Sequence, residues 1–437
     1  MSASSFRSSG LLFAAGRSMA IASLTTAALS FSLSGASAAG LFEALPASAA
    51  ATVAADRSPV VMGERIVRLD TAYMEDNIAP LGADTAKDRL SRAAKAPSIT
   101  VELADDLTVD MSRRSLKKAS GRDGGYVWSG RMADDSVGYA VMVISGGQTT
   151  GQILYKGRLF RIQPISGDIH RITEIDESKF PPEQFVRSPN SAPASGPQDL
   201  SAPAGKSTIK VLIPYTKKAK QEAGNIKQTA KLAISLANTG AKNGGASIRY
   251  KLAGTFKTKY KESSHQSDLY AIQGGGGKAK DIHKQRKKKK ADLVAMLRVS
   301  DSGSGICGIG FFNENTTPSD RPYGFSVTSV NCVTYHSVAH EMGHNIGLEH
   351  DRYVVTQPPK GDYNFGYSNV GKQIRSIMAY ANECNAKIGT GCTRVPMYSS
   401  SKKKYQGNKL GEKKKSKGRA DASKVLTVNG KAVKKFY

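Results

Sequence analysis

Residues 340–351 read HEMGHNIGLEHD and hold three of the seven histidines in a chain of 437 residues. His340 and His344 stand four apart, so on a helix both imidazoles project from one face about a turn from each other, close enough to share one ion. The surrounding TYHSVAHEMGHNIGL predicts that helix, with its threonine as the cap and Gly347 as the stop. Glu341 reaches the outer sphere of such an ion without ligating it, where a base that takes a proton from water must sit. Two histidines compete for the third ligand place. His336 lies about 12 Å from His344 along a straight helix and loses on distance. His350 lies beyond Gly347, whose freedom to take a positive φ lets the chain turn and bring the ring back. Three imidazoles leave one position open, which is the coordination of a catalytic zinc rather than of a closed structural one.

Working outward, the segment before this motif alternates strand and helix signals. STIKVLIPYT places Ile209, Val211 and Ile213 on one face, as a strand should. NIKQTAKLAISLANTGAKNGG follows with Ile226, Ala230, Ala233 and Ala237 at helical spacing and glycines closing it. SIRYKLAGTF is a second strand, and a lysine-rich helix leads into the short apolar run ADLVAMLRVS, a buried strand. The pattern is α/β, a sheet with packed helices. The chain ends in ADASKVLTVNGKAVKKFY, with Val425, Val428, Ala432, Val433 and Phe436 along one helical stripe that Gly430 weakens by about 1 kcal/mol relative to Ala.

The first half of the chain is a different object. Residues 1–205 carry 21 basic and 21 acidic side chains, so the whole excess of +27 falls on residues 206–437, with 42 against 15. Arg7 and Arg17 precede a small, mostly apolar run ending in Ala36-Ser37-Ala38, the A-x-A form of a signal-peptidase site, so residues 1–38 are expected to be a signal peptide and the protein to be secreted, outside the cell or into the periplasm. Residues 39–185 alternate like a largely β domain, as in YAVMVISG and TGQILYKGRLFRIQPI. Residues 186–206, which run through RSPNSAPASGPQDLSAPAGK, read as a linker before a domain at 207–437. A folded segment, a linker and a reactive domain in that order have the layout of a zymogen. No later run approaches a membrane span.

Four cysteines, all in the last third, suit an oxidising compartment, and the C-x-x-C pairs of a zinc site are absent. Three pairings exist; proximity in sequence favours Cys307 with Cys332 and Cys384 with Cys392. With no cysteine before Cys307, a thiol-on-zinc latch is excluded; His170, the only histidine of the first half, is a candidate to cap the zinc but reads more readily as a surface histidine.

The long motif H-E-x-x-H-x-x-G-x-x-H-D, with SIMAY at 376–380 about 25 residues after His350, resembles the metzincin clan of zinc proteases. Asp351 looks like the reprolysin group, and Tyr380 is what astacin-like and serralysin-like members carry. Together with NFGYSN before that turn and CTRVPMYSS after it, the chain is most similar to the bacterial peptidyl-Asp metalloendopeptidases over roughly residues 207–437. The resemblance implies a metzincin-like α/β (α+β) catalytic domain with a twisted mixed sheet, a zinc helix and a Met-turn, preceded by the β prodomain. It implies one catalytic Zn2+ and leaves structural Ca2+ open. Met378 would floor the histidines, Tyr380 would be a displaceable ligand that stabilises an oxyanion, and Arg394 would line the pocket for a substrate carboxylate, consistent with cleavage before aspartate. With Asp199 in the linker, a cut at Gln198–Asp199 by another copy of the enzyme would release the domain. Protein or peptide substrates are expected to lie against an edge strand, for which YGFSVTSV is the candidate.

The lysine runs KQRKKKK and KKKYQGNKLGEKKKSK depart from that family pattern. They offer the rival reading, a secreted binder of polyanions that carries a zinc site. Little aromatic interleaving accompanies them, so they point to diffuse attraction to anionic polymers or surfaces and not to specific nucleic-acid recognition.

Overall fold

The computed structural model describes residues 40–77, 98–119, 124–191, 200, 205–300 and 306–437. The signal-peptide expectation and the Gln198–Asp199 bond lie outside the described residues. Among the described residues no helix is long and apolar enough to cross a membrane.

Nine strands form an antiparallel N-terminal sheet: β1 (Phe42–Ala44), β2 (Val61–Leu69), β3 (Ile99–Ala104), β4 (Leu107–Lys118), β5 (Tyr126–Arg131), β6 (Tyr139–Ser145), β7 (Gln148–Tyr155), β8 (Arg158–Ser166) and β9 (Ile169–Ile175). Their order is β1-β2-β9-β8-β7-β6-β5-β4-β3, and its two edges meet where the Leu41 N–H donates to the Thr100 carbonyl at 2.9 Å. Alternation along the strands makes two apolar faces. Trp128, Met142, Ile153 and Phe160 pack inward, while Val141, Val143, Leu154 and Leu159 face outward.

The second sheet has six strands: β10 (Glu183–Arg187), β11 (Ser207–Tyr215), β12 (Ile248–Lys257), β13 (Leu293–Arg298), β14 (Gly308–Phe312) and β15 (Phe325–Ser329), in the order β10-β14-β15-β13-β11-β12. It is mixed: β14 runs antiparallel to β15, and the other pairs are parallel. Among the described residues five helices have nine or more residues: α1 (Ile226–Gly244), α2 (His265–Gly274), α3 (Lys280–Lys289), α4 (Ser337–Asn345) and α5 (Ala422–Val433). Ile209, Val211 and Ile213 face a core shared with Ala230, Ala233 and Ala237 of α1, Met342 of α4 and Leu426 of α5. On the other face Leu212, Val294 and Met296 meet Leu269 and Ile272 of α2 and Ile282 of α3. Helices therefore cover both faces, as buried parallel strands require. This is a metzincin-like mixed α/β architecture.

The helix-weakening Gly430 has a packing reason: a Cβ there would lie 2.6 Å from the Ile248 methyl, so its absence lets α5 rest on β12. Leu232 and Leu236 of α1 complete the outward apolar face of the N-terminal sheet. Lys287, Lys288 and Lys290 face solvent, whereas Arg286 is buried and donates to the Ala291, Asp292 and Arg321 carbonyls.

Two sequence expectations need correction. YGFSVTSV is β15, which lies between β14 and β13 and has no free edge; the margins of the sheet are β10 and β12, and β14 is flanked by β10 and β15. The expected boundary at 185/186 falls inside β10, which pairs along its whole length with β14, so residues assigned to a linker are part of the second sheet.

Candidate active site

Every residue of α4 is buried, held between α1 and strands β14 and β15. The helix is entered through His336 at φ +63°, with no side-chain cap, so the expected threonine cap is not formed. His336 turns away from the other histidines: its Nε2 lies 2.7 Å from the Tyr139 hydroxyl of the N-terminal sheet. At the far end the Leu348 N–H donates to the Gly343 carbonyl and the Gly347 N–H to the His344 carbonyl, a Schellman closure with Gly347 at φ +89°. A Cβ on Gly347 would lie 2.9 Å from the Asn313 carbonyl, so this turn demands glycine for space as well as φ. The turn delivers His350, on the short strand Glu349–Asp351, to the other two rings.

Nitrogens of His340, His344 and His350 all lie within 4.8 Å of one another. The Nδ1 of His340 is 2.9 Å from the Ile377 carbonyl and the Nδ1 of His344 is 2.7 Å from the Leu348 carbonyl. Carbonyls only accept, so both rings carry their proton on Nδ1 and leave Nε2 bare. The two bare Nε2 atoms then face each other at 3.0 Å, an arrangement that two lone pairs alone oppose and a cation between them satisfies. Ligands at 2.0–2.1 Å from one tetrahedral zinc would stand about 3.3 Å apart, close to what is found. Burial pushes all three imidazoles below their ordinary pKa, His340 to about 4, which keeps them neutral donors.

Glu341 is fully buried, and neither of its carboxylate oxygens has a hydrogen-bond partner. Burial, and then the nearby Glu183, push its pKa well above the usual carboxylate range. Space for the carboxylate comes from β14. A Cβ on Gly308 would lie 2.6 Å from Glu341 Oε1, and one on Gly310 would lie 3.2 Å from Oε2. These two glycines went unread in the sequence; their alternation in GIGFF is the signal that marks a strand with one face stripped of side chains.

Met378 Sδ packs against α4, 2.7 Å from where a Cβ on Gly343 would be. The Tyr380 hydroxyl lies 3.0 Å from His350 Nε2 and donates a short hydrogen bond to the Glu183 carbonyl. Asp351 ties this turn to the third histidine by accepting the Tyr380 N–H. Arg375, also unread, braces the same turn by donating to the Ala379 and Cys392 carbonyls and to the Tyr335 hydroxyl. Disulfides join Cys307 to Cys332 and Cys384 to Cys392, the proximity pairing.

Arg394 is buried and stacked over the Tyr335 ring at 4.2 Å. Its Nη1 and Nη2 donate to the two Glu183 oxygens at 2.5 and 3.0 Å, and Ser337 Oγ donates to Oε1 at 2.8 Å. Burial alone would raise the Glu183 pKa; the guanidinium, His340 and the Ser337 hydroxyl outweigh it and hold the carboxyl down at about 2. His170 is not near the rings: it is buried in the N-terminal sheet, with Nδ1 on the Asp168 carbonyl and Nε2 accepting the Thr149 N–H. It is neither a zinc cap nor a surface histidine.

A model of Metallo-peptidase family M12, of the Reprolysin_5 type, matches residues 205–388. The chain is 30% identical over 430 residues to a protein of Stenotrophomonas maltophilia named Peptidyl-Asp metalloendopeptidase, covering 91% of this chain and 97% of that one. It is 30% identical over 312 residues to a protein of the same name from Xanthomonas campestris pv. campestris, covering 68% and 69%. A second Stenotrophomonas maltophilia protein of that name is 29% identical over 429 residues, covering 91% of this chain and 97% of that one. With three imidazoles converging at the foot of a buried helix and a partnerless carboxylate beside them, the chain belongs to the reprolysin-like metalloproteases of family M12 and is a metalloendopeptidase, a hydrolase.

Proposed function

We propose that the chain is the exported precursor of a zinc endopeptidase that cuts peptide bonds before aspartate. The observation that carries this is the pairing of three neutral imidazoles with a buried carboxylate lacking any partner. His340, His344 and His350 hold the ion, which when bound supplies Lewis-acid polarisation of water and of the scissile carbonyl. Glu341 takes a proton from the attacking water and delivers it to the nitrogen of the departing amine. The Tyr380 hydroxyl already donates to a peptide carbonyl in the cleft, which supports its role as a donor to the substrate carbonyl as charge develops there. Met378 serves as the floor under the rings.

Arg394 supports the preference for aspartate. It is buried, and it presents two N–H groups to a carboxylate in the bidentate geometry that planar guanidinium and carboxylate share. The relatives named for peptidyl-Asp cleavage support the same choice. Incubation of processed, zinc-loaded protein with a mixed peptide library should yield products with N-terminal aspartate, abolished by chelator. Products with no acidic bias at that position would remove the specificity reading, and hydrolysis indifferent to chelator would remove the zinc.

Export rests on the N-terminal run ending at Ala38, and latency on the N-terminal sheet and β10. Attraction to anionic polymers accompanies this activity. A cavity of about 670 Å³ between the N-terminal sheet and α1 is lined by Arg114, Lys117, Arg131, Lys206, Lys242 and Lys403 among other residues, with no carboxylate.

A further inference from the structure

We infer that Glu183 is a built-in ligand of the acid-recognising pocket, and that β10 keeps the precursor inactive by presenting this side chain on a strand threaded backwards through the cleft. The inference rests on the reading of Arg394 as the substrate-carboxylate receptor and extends it in two ways: it adds Ser337 to the pocket, and it names the pocket's resident.

The contacts follow the two-residue period of a strand. Glu183, Phe185 and Arg187 point to one side of β10. Glu183 reaches Arg394 and Ser337, with both members of the ion pair only 1% exposed at their side chains. Phe185 lays its ring 4.8 Å from His344 and 5.1 Å from His350, across the face where an ion would meet substrate. Arg187 anchors the far end on Glu314 at 2.8 Å and Glu349 at 3.3 Å. On β14 the residues opposite Glu183 and Phe185 are Gly308 and Gly310, the glycines that make room for Glu341. Pocket, metal face and backbone edge are all occupied at once by five consecutive residues.

Direction explains why occupation is not cleavage. For a cut before an acidic residue, the chain on the amino side of that residue must cross the metal face while its side chain fills the pocket. In β10 the chain on the carboxyl side crosses instead: Phe185 covers the histidines and the Glu183 carbonyl receives the Tyr380 hydroxyl. The bond before Glu183 is led away, with the Pro182 carbonyl accepting the Cys307 N–H at 3.0 Å. β10 runs parallel to β14, so a chain with the opposite polarity would have to pair antiparallel there. The strand thus uses the recognition of a substrate while withholding the bond that a substrate would present.

The test uses the full zinc-loaded chain, kept uncut and checked by mass, with a peptide containing one aspartate as substrate. Glu183→Gln should raise hydrolysis by the uncut chain about tenfold or more over the wild-type precursor, since a neutral amide gives up the charge-assisted bidentate bonds. A second measurement covers the case in which that variant does not fold. Wild-type chain processed until its activity is maximal is mixed with a synthetic peptide of residues 177–191, or with the same peptide carrying Glu183→Gln. The unsubstituted peptide should inhibit at least about tenfold more strongly and remain uncut. An uncut Glu183→Gln precursor as silent as wild type, equal inhibition by both peptides, or hydrolysis at Pro182–Glu183 would each overturn the inference while leaving the enzyme reading intact. Absence of chelator-sensitive hydrolysis from the processed wild-type chain would instead strike at the enzyme reading itself.

Discussion

Asp351 Oδ2 accepts the backbone N–H of Tyr380 at 2.8 Å, while its Oδ1 accepts that of Tyr353 at 3.0 Å. One buried carboxylate therefore fixes both the exit from the third histidine and the turn carrying Met378 and Tyr380. Burial pushes its pKa up, and the two N–H donors work against that. Asp351→Ala should weaken zinc binding about 10–100-fold, because a support of a ligand is lost while all three ligands remain. It should also cost about 2–4 kcal/mol of stability from orphaned N–H groups. Competition with a chromophoric chelator reads the first effect and denaturant melting the second.

Glu341→Gln separates chemistry from folding. Turnover should fall about 10²–10⁴-fold with zinc stoichiometry unchanged. The melting temperature should hold or rise, since an amide in that partnerless buried position costs less than a carboxylate. A large fall in melting temperature would mean that Glu341 holds the fold together rather than moving a proton.

Gly308→Ala tests the clearance on β14. Its new methyl would lie 2.6 Å from Glu341 Oε1, so either the carboxylate or the strand must shift. Activity should drop at least about tenfold, with a stability loss of about 1–3 kcal/mol. Gly310→Ala, with 3.0 Å to the nearest Glu341 atom, should be milder in both readouts.

Acid should loosen β10 within a defined window. The Glu183 carboxyl is held at about 2 against an ordinary 4.5, facing Arg394, Ser337, His340 and, through its own carbonyl, Tyr380. A carboxyl depressed on folding contributes its full stabilisation above its unfolded pKa and loses it as pH falls toward the folded one. Protease sensitivity of β10 should therefore stay flat from neutrality down to pH 4.5 and climb between 4.5 and 2. Glu183→Gln should abolish that climb; persistence of the climb would assign it to other carboxyls.

The three converging histidines were legible because their geometry is local. Four residues of helix and one glycine turn place all three, and no distant partner is needed to see it. The same locality made the disulfides and the α1 and α5 faces readable. Glu183 was invisible for the opposite reason. Its partner Arg394 is 211 residues away, and EQFVR reads equally well as the last strand of the preceding domain. Whether YGFSVTSV is an edge or an interior strand depends on β14, whose sequence GIGFF is too short to declare itself. The threonine cap failed because His336 is held by Tyr139 from the N-terminal sheet, a contact that sets the start of α4 without regard to capping preference.

Leu232 and Leu236, on the flank of α1 that the N-terminal sheet covers, bear on what parting the two halves would cost. Uncovering each of them costs about 1.5–3 kcal/mol, and the sheet's own outward residues would be wetted at the same time. Severing the backbone between the halves leaves that adhesion untouched, so a single nick yields two fragments that still co-elute. On the proposed reading of the chain as a precursor, release of the N-terminal half would therefore take its degradation as well as the first incision.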